Sequence, residues 1–203
     1  MLFNNQSSII LHPSRGPEDM KPISRIILIV VVTIIAVLVV EAGVALAVMW
    51  WGLVNVGADN PHPAVVQWYL SNTMERSVQK GARGLQAPAA ADVSIAAGAV
   101  HYGRTCVLCH GAPGVEPLEI GKGLSPDPPD LIRTAPEWTV EQVYWIVKHG
   151  VGDTGMPAFG TTEEEADLWA IASFVKQLPN LTPAEFSKLV AEGTARRPSD
   201  GPS

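Results

Sequence analysis

The sequence predicts a mainly α chain, with one N-terminal transmembrane helix ahead of a small helical domain. Three observations carry this. Residues 26–52 hold a single charge, Glu41, in an otherwise apolar run. Beyond residue 94 the sequence shows repeated helix-start signatures, and no strand-like alternation of useful length interrupts them. The 203 residues are 47% apolar and 17% charged, a low charged share that reflects the unevenly placed apolar run. This distribution excludes both a multi-span membrane protein and a wholly soluble one. The net charge of −6 is spread without a basic stripe, so nucleic acid is excluded as a partner class. Two cysteines are too few for a disulfide scaffold.

The first element is the span. As a helix, 26–52 is about 40 Å long, longer than a hydrocarbon core of about 30 Å. Trp50 and Trp51 suit the far interface, and Arg15, Lys21 and Arg25 flank the near end. The positive-inside rule then makes residues 1–25 a cytoplasmic segment and exports everything after Trp51. Ala45-Leu46-Ala47 fits a signal-peptidase site, but the apolar run exceeds a usual signal core, which favours an uncleaved anchor. Glu41 reads as a carboxyl near the outer boundary, with a contact to a partner helix as the alternative.

Residues 53–93 are expected to be a linker containing a short amphipathic helix over 65–80, resting on a membrane or a partner. Residues 81–93 continue it with small side chains. Ser94 is expected to cap a helix that runs to Gly111. The next stretch, 112–137, carries prolines 113, 117, 126, 128, 129 and 136 and reads as a long structured loop. Three capping boxes follow, Thr139/Gln142, Thr162/Glu165 and Thr182/Glu185, and predict helices over 140–149, 163–178 and 183–192. Residues 193–203 are expected to be a disordered tail, which leaves 94–192 as the folded domain.

The chemistry lies at Cys106-Val107-Leu108-Cys109-His110. This C-x-x-C-H run is the attachment sequence of a c-type haem. Two thiols three residues apart on a helical turn add to two vinyl groups, and the next imidazole meets the iron. A redox dithiol needs no following histidine, and a structural zinc site needs four ligands where no second cysteine pair exists. For the second axial position the candidates are His149 and Met156. Met156 sits in Gly155-Met156-Pro157, belongs to no helical stripe, and is favoured. His149 reads as a helix-end residue. His101 is about two and a half turns from His110 and reads as structural or exposed.

These residues resemble class I monohaem cytochrome c domains: C-x-x-C-H early, a Gly-Met-Pro loop 46 residues after His110, and a closing helix with aromatics. More narrowly, AGAVHYGRTCVLCHGAPGVEPLEIGKGLSPDPPDL with VKHGVGDTGMPAFG is similar to membrane-anchored monohaem cytochromes of proteobacteria. The resemblance implies helices around one covalent haem c, held by Cys106 and Cys109, with His110 and Met156 as iron ligands. It implies that Gly98 and Tyr102 lie where the last haem-packing helix crosses, against Trp169 or Phe174. It implies that Pro129, or a neighbour, accepts the His110 Nδ1–H bond, and that Trp138 and Trp145 pack against the haem edge. Arg133 is either a propionate partner or a surface residue.

The expected function is single-electron transfer by a non-enzymatic protein anchored in the bacterial inner membrane, its haem domain in the periplasm. An acidic surface favours a redox protein partner with a basic docking face. The Glu163-Glu164-Glu165 run reads first as a helix start favoured by the helix dipole, with a docking patch second. Alternatives are a haem-bearing subunit of a respiratory or photosynthetic complex, and a haem sensor or ligand-activating enzyme.

Overall fold

The computed structural model describes residues 22–196. The chain divides into two compact units, residues 1–55 and 56–203. In the first unit, α1 (Pro22–Trp51) is one uninterrupted helix with no buried side chain. Among the described residues it is the one helix long and apolar enough to cross a membrane. At 30 residues it is about 45 Å long. In a hydrocarbon surround such a helix would need no tertiary support, because every backbone group would pair within it. Thr33 follows suit and donates its hydroxyl to the Ile29 carbonyl at 2.8 Å. The helix already includes residues 22–25, which sequence reading assigned to a cytoplasmic segment. The rest of that segment lies outside the described residues.

The second unit holds α2 (Ala64–Gly81), α3 (Ile95–His101), a π-helical turn (Tyr102–Cys106), α4 (Val107–His110), α5 (Glu119–Lys122), α6 (Leu131–Thr134), α7 (Val140–His149), α8 (Glu165–Val175) and α9 (Pro183–Arg196). No strand occurs among the described residues. The mainly α architecture is therefore as the sequence predicts.

The centre of this unit is the crossing of α3 and α8. At Gly98 the two backbones meet: a methyl added there would strike the Ala170 carbonyl and lie 2.9 Å from Phe174 Cβ. Around the crossing, Tyr102, Leu168, Phe174, Leu178 and Phe186 are buried. The Tyr102 ring sits 5.4 Å from Phe174 and, edge-on, 6.3 Å from Phe186 of α9. On the far side of α8, Trp169 stacks on Tyr144 of α7 at 3.8 Å and 11°. Phe174 is thus the aromatic at the crossing, and Trp169 serves the α7 face instead. A Lys176 ammonium ends α8, donating to the carbonyls of Ala135 (2.6 Å) and Trp138.

Two of the expected capping boxes form. Gln142 N–H donates to Thr139 Oγ1 and Thr139 N–H to Gln142 Oε1. Thr182 N–H likewise donates to Glu185 Oε2, and Glu185 N–H to Thr182 Oγ1. The Thr182 backbone N–H and hydroxyl hold the exposed Glu185 carboxyl below its usual range. The third box does not form. A 3₁₀ turn over Phe159–Thr161 takes the Thr162 hydroxyl, which donates to the Phe159 carbonyl. Glu165 accepts from the Tyr144 hydroxyl at 3.0 Å, so neither half of the box is available. Helix α8 accordingly starts at Glu165 and, with Pro179 in the following 3₁₀ turn, stops at Val175 rather than spanning 163–178.

Sequence reading also placed residues 193–203 in a disordered tail. Residues 193–196 instead continue α9, and the remainder lies outside the described residues. The reason is packing: Gly193 is buried so close to α3 that an added methyl would strike the Ala96 carbonyl.

Candidate functional site

The site begins at Ser94, whose Oγ accepts the Ala97 N–H at 3.2 Å and starts α3. Helix α3 would carry an α-register through to His110, but Tyr102–Cys106 widens into a π turn. Such turns insert into helices at functional positions. Cys106 closes the π turn as the N-cap of α4, α4 carries Cys109 and His110, and Gly111 (φ 64°) ends it.

Two hydrogen bonds fix this end. Tyr102 donates its hydroxyl to the Gly111 carbonyl at 2.7 Å. His110 Nδ1 lies 2.9 Å from the Pro129 carbonyl. A carbonyl can only accept, so Nδ1 carries the proton and Nε2 keeps its lone pair. Burial holds His110 below its ordinary range, opposed by the Pro129 bond. The ring is therefore neutral at neutral pH, the state in which imidazole binds a metal. Helix α5 packs on the same segment: Leu118 N–H donates to the Leu108 carbonyl, and a methyl at Gly121 would lie 2.7 Å from Cys109 Cα.

Both cysteines are free thiols. Burial pushes the Cys106 thiol up to about 12, with the neighbouring Cys109 and Glu163 adding to the rise. A redox dithiol has the opposite character, a lowered thiol beside positive charge. Zinc fits no better. Among the described residues, the group of metal-ligating type is His101 with Glu163 and Asp167, and it includes neither cysteine nor His110. Two cysteines outside any disulfide, followed by a neutral imidazole whose Nδ1 is tied to a carbonyl, do fit a covalent haem.

Met156 is held by its loop. Thr154 donates its hydroxyl to the Val151 carbonyl at 2.7 Å and accepts the Met156 N–H at 3.1 Å. Val151 N–H closes the loop on the Met156 carbonyl at 3.2 Å. Gly155 packs on Leu124, where a methyl would lie 2.5 Å from Cδ2. Leu124 belongs to the same proline-rich stretch as Pro129, so one segment braces both the His110 side and the methionine loop. Met156 itself is half-buried against the core.

Other expected site residues do different work. Tyr102 is fully buried among core rings, and burial raises its hydroxyl well above the ordinary range. It acts on the site through Gly111. Replacing it with phenylalanine leaves that carbonyl without its donor and is expected to cost about 1–3 kcal/mol in denaturant unfolding. Haem attachment should persist. The Trp145 indole covers Gly81 of α2 and lies 4.8 Å from the His149 ring. Helix α2 thus covers part of the Trp145 ring, a contact the sequence did not suggest. His149 ends α7 and is exposed. Arg133 is 82% exposed and pairs with Asp130 at 3.1 Å. Trp138 is half-buried against the core, with its carbonyl on Lys176.

Sequence reasoning missed the setting of His101. Its Nδ1 lies 3.3 Å from Glu163 and its Nε2 3.2 Å from Asp167. The only signal was a pair of acidic residues one turn apart. The three consecutive glutamates thus divide: Glu163 reaches His101, Glu164 precedes α8 as its N-cap, and Glu165 accepts from Tyr144.

Residues 93–175 match the family model described as cytochrome C oxidase, cbb3-type, subunit III. The match spans the attachment segment, the methionine loop and α8. No curated protein and no solved structure matches the chain.

Proposed function

We propose that this chain is a membrane-anchored monohaem cytochrome c, as its cytochrome c match at residues 93–175 and its apolar N-terminal helix support, and that it transfers single electrons between redox partners on the periplasmic face of the bacterial inner membrane. Cys106 and Cys109 would hold the haem covalently, and His110 and Met156 would supply the protein ligands to its iron. Bound in this way, the haem supplies a one-electron iron couple. The observation that carries the reading is the His110 Nδ1 contact with the Pro129 carbonyl, directly after two free thiols. That bond fixes the ring and its tautomer, and raises the basicity of the free nitrogen.

The rest of the chain holds this geometry. The Thr154 hydroxyl and the Val151 N–H fix the methionine loop. Thioether ligation raises the potential above that of a bis-imidazole site. Residues 53–203 carry 17 acidic and 11 basic side chains, which favours a partner with a basic docking face. Arg25 and the more N-terminal basic residues favour export of everything after α1.

Met156→Ala tests the ligation. The variant is expected to bind carbon monoxide readily when reduced and to show a lower midpoint potential. An unchanged spectrum and potential would remove Met156 as ligand. Ready binding by the unsubstituted protein would instead favour a sensor or ligand-activating role.

A second reading has a specific observation behind it. The matching family model is described as an oxidase subunit, which supports reading the chain as a haem-bearing subunit of a larger respiratory complex. Gentle solubilisation separates the two. A haem band migrating with other chains supports the subunit; a lone band supports the free carrier.

A further inference from the structure

Helix α2 has two apolar faces. One packs into the domain, with Val78 fully buried and Gly81 beneath the Trp145 indole. The other, nearly opposite in helical angle, carries Val65, Trp68 and Tyr69 at 69%, 66% and 63% exposure. Most of the surface of these side chains is left open by the described residues, yet two are the aromatic types that favour a headgroup zone.

Position and charge identify what covers them. Twelve residues separate Trp51 from Ala64, a reach of at most about 43 Å, so the start of α2 is tethered close to the bilayer that α1 crosses. Residues 64–83 carry Arg76, Lys80 and Arg83 against Glu75, a net of +2. Residues 84–203 carry 8 basic and 15 acidic side chains, a net of −7. Arg76 lies three turns below Val65 on the same face. An anionic surface therefore attracts this helix and repels the rest of the domain.

We propose that the outward face of α2 is a membrane-surface contact: Val65, Trp68 and Tyr69 enter the headgroup zone of an anionic bilayer, and Arg76, Lys80 and Arg83 face its phosphates. The contact fixes which side of the domain faces the membrane. It rests on α1 being the span, and not on the electron-transfer reading.

The test uses the full-length haem-loaded protein in vesicles of phosphatidylcholine with phosphatidylglycerol. Spin labels are placed singly by Val65→Cys, Tyr69→Cys and Ser71→Cys, with unsubstituted protein as the labelling control. Labels at 65 and 69 are expected to be severalfold more accessible to oxygen than to a water-soluble nickel chelate, and the label at 71 is not. Combining R76Q, K80Q and R83Q with the label at 65 should reduce that shielding at least by half, with the haem spectrum unchanged. Aqueous accessibility at 65 and 69 would overturn the proposal. So would equal shielding in detergent accompanied by label–label broadening, which would assign the face to a second copy of the chain. Shielding unmoved by the triple substitution would overturn the role of the basic residues.

Discussion

Serine at both Cys106 and Cys109 is expected to abolish covalent haem retention. Acidified acetone should then extract all pigment, and a denaturing gel stained for haem should show no band. Each single variant keeps one anchoring sulfur and should lose only part of the signal. The expectation follows from how little else grips that region. Helix α4 is four residues long, and α5 and α6 are equally short. Segments of this length have no stability of their own and depend on what they pack against. Full, heat-stable pigment in the double variant would contradict the assignment of these sulfurs.

Gly98→Val is expected to be the most damaging single substitution in the core. The new methyls meet the Ala170 carbonyl, which is backbone and hydrogen-bonded into α8, and lie close to Phe174 Cβ. A side chain could rotate aside; a helix backbone cannot. The cost should therefore exceed the usual overpacking range of about 1–3 kcal/mol. For a domain of this size, a loss above 3 kcal/mol corresponds to a fall of more than about 12 °C in Tm. Thermal unfolding followed by circular dichroism checks it. Gly123→Ala is the control, since a methyl there has only ordinary contacts at 3.6 and 3.9 Å. A small shift for Gly98→Val would mean that α3 and α8 do not cross at this glycine.

What could be read from the sequence was local. The span is a matter of consecutive apolar residues. The capping boxes at Thr139 and Thr182 involve side chains three residues apart, and α7 runs over the predicted range. The C-x-x-C-H run is likewise five adjacent residues. The Pro129 bond to His110, 19 residues away, came into view only through a family resemblance.

What the sequence hid depends on distant partners. Thr162 has the right residue three positions on, but Tyr144 claims Glu165 and the preceding 3₁₀ turn claims the hydroxyl. Trp145 looks like a core aromatic from its stripe, and nothing local says that α2 will lie against it. The π turn at Tyr102–Cys106 leaves the residue pattern unchanged, so periodicity cannot register it. His101 gains two carboxylates only when α3 meets the start of α8.

The seal that Gly193 and Phe186 make over α3 bears on the order of assembly. A chain threaded outward from its N-terminus delivers the paired sulfurs well before α9 emerges. Until then α3 has one flank bare. The two cysteines stay part-exposed even once α9 is in place, so the last helix completes the core and leaves the attachment segment within reach.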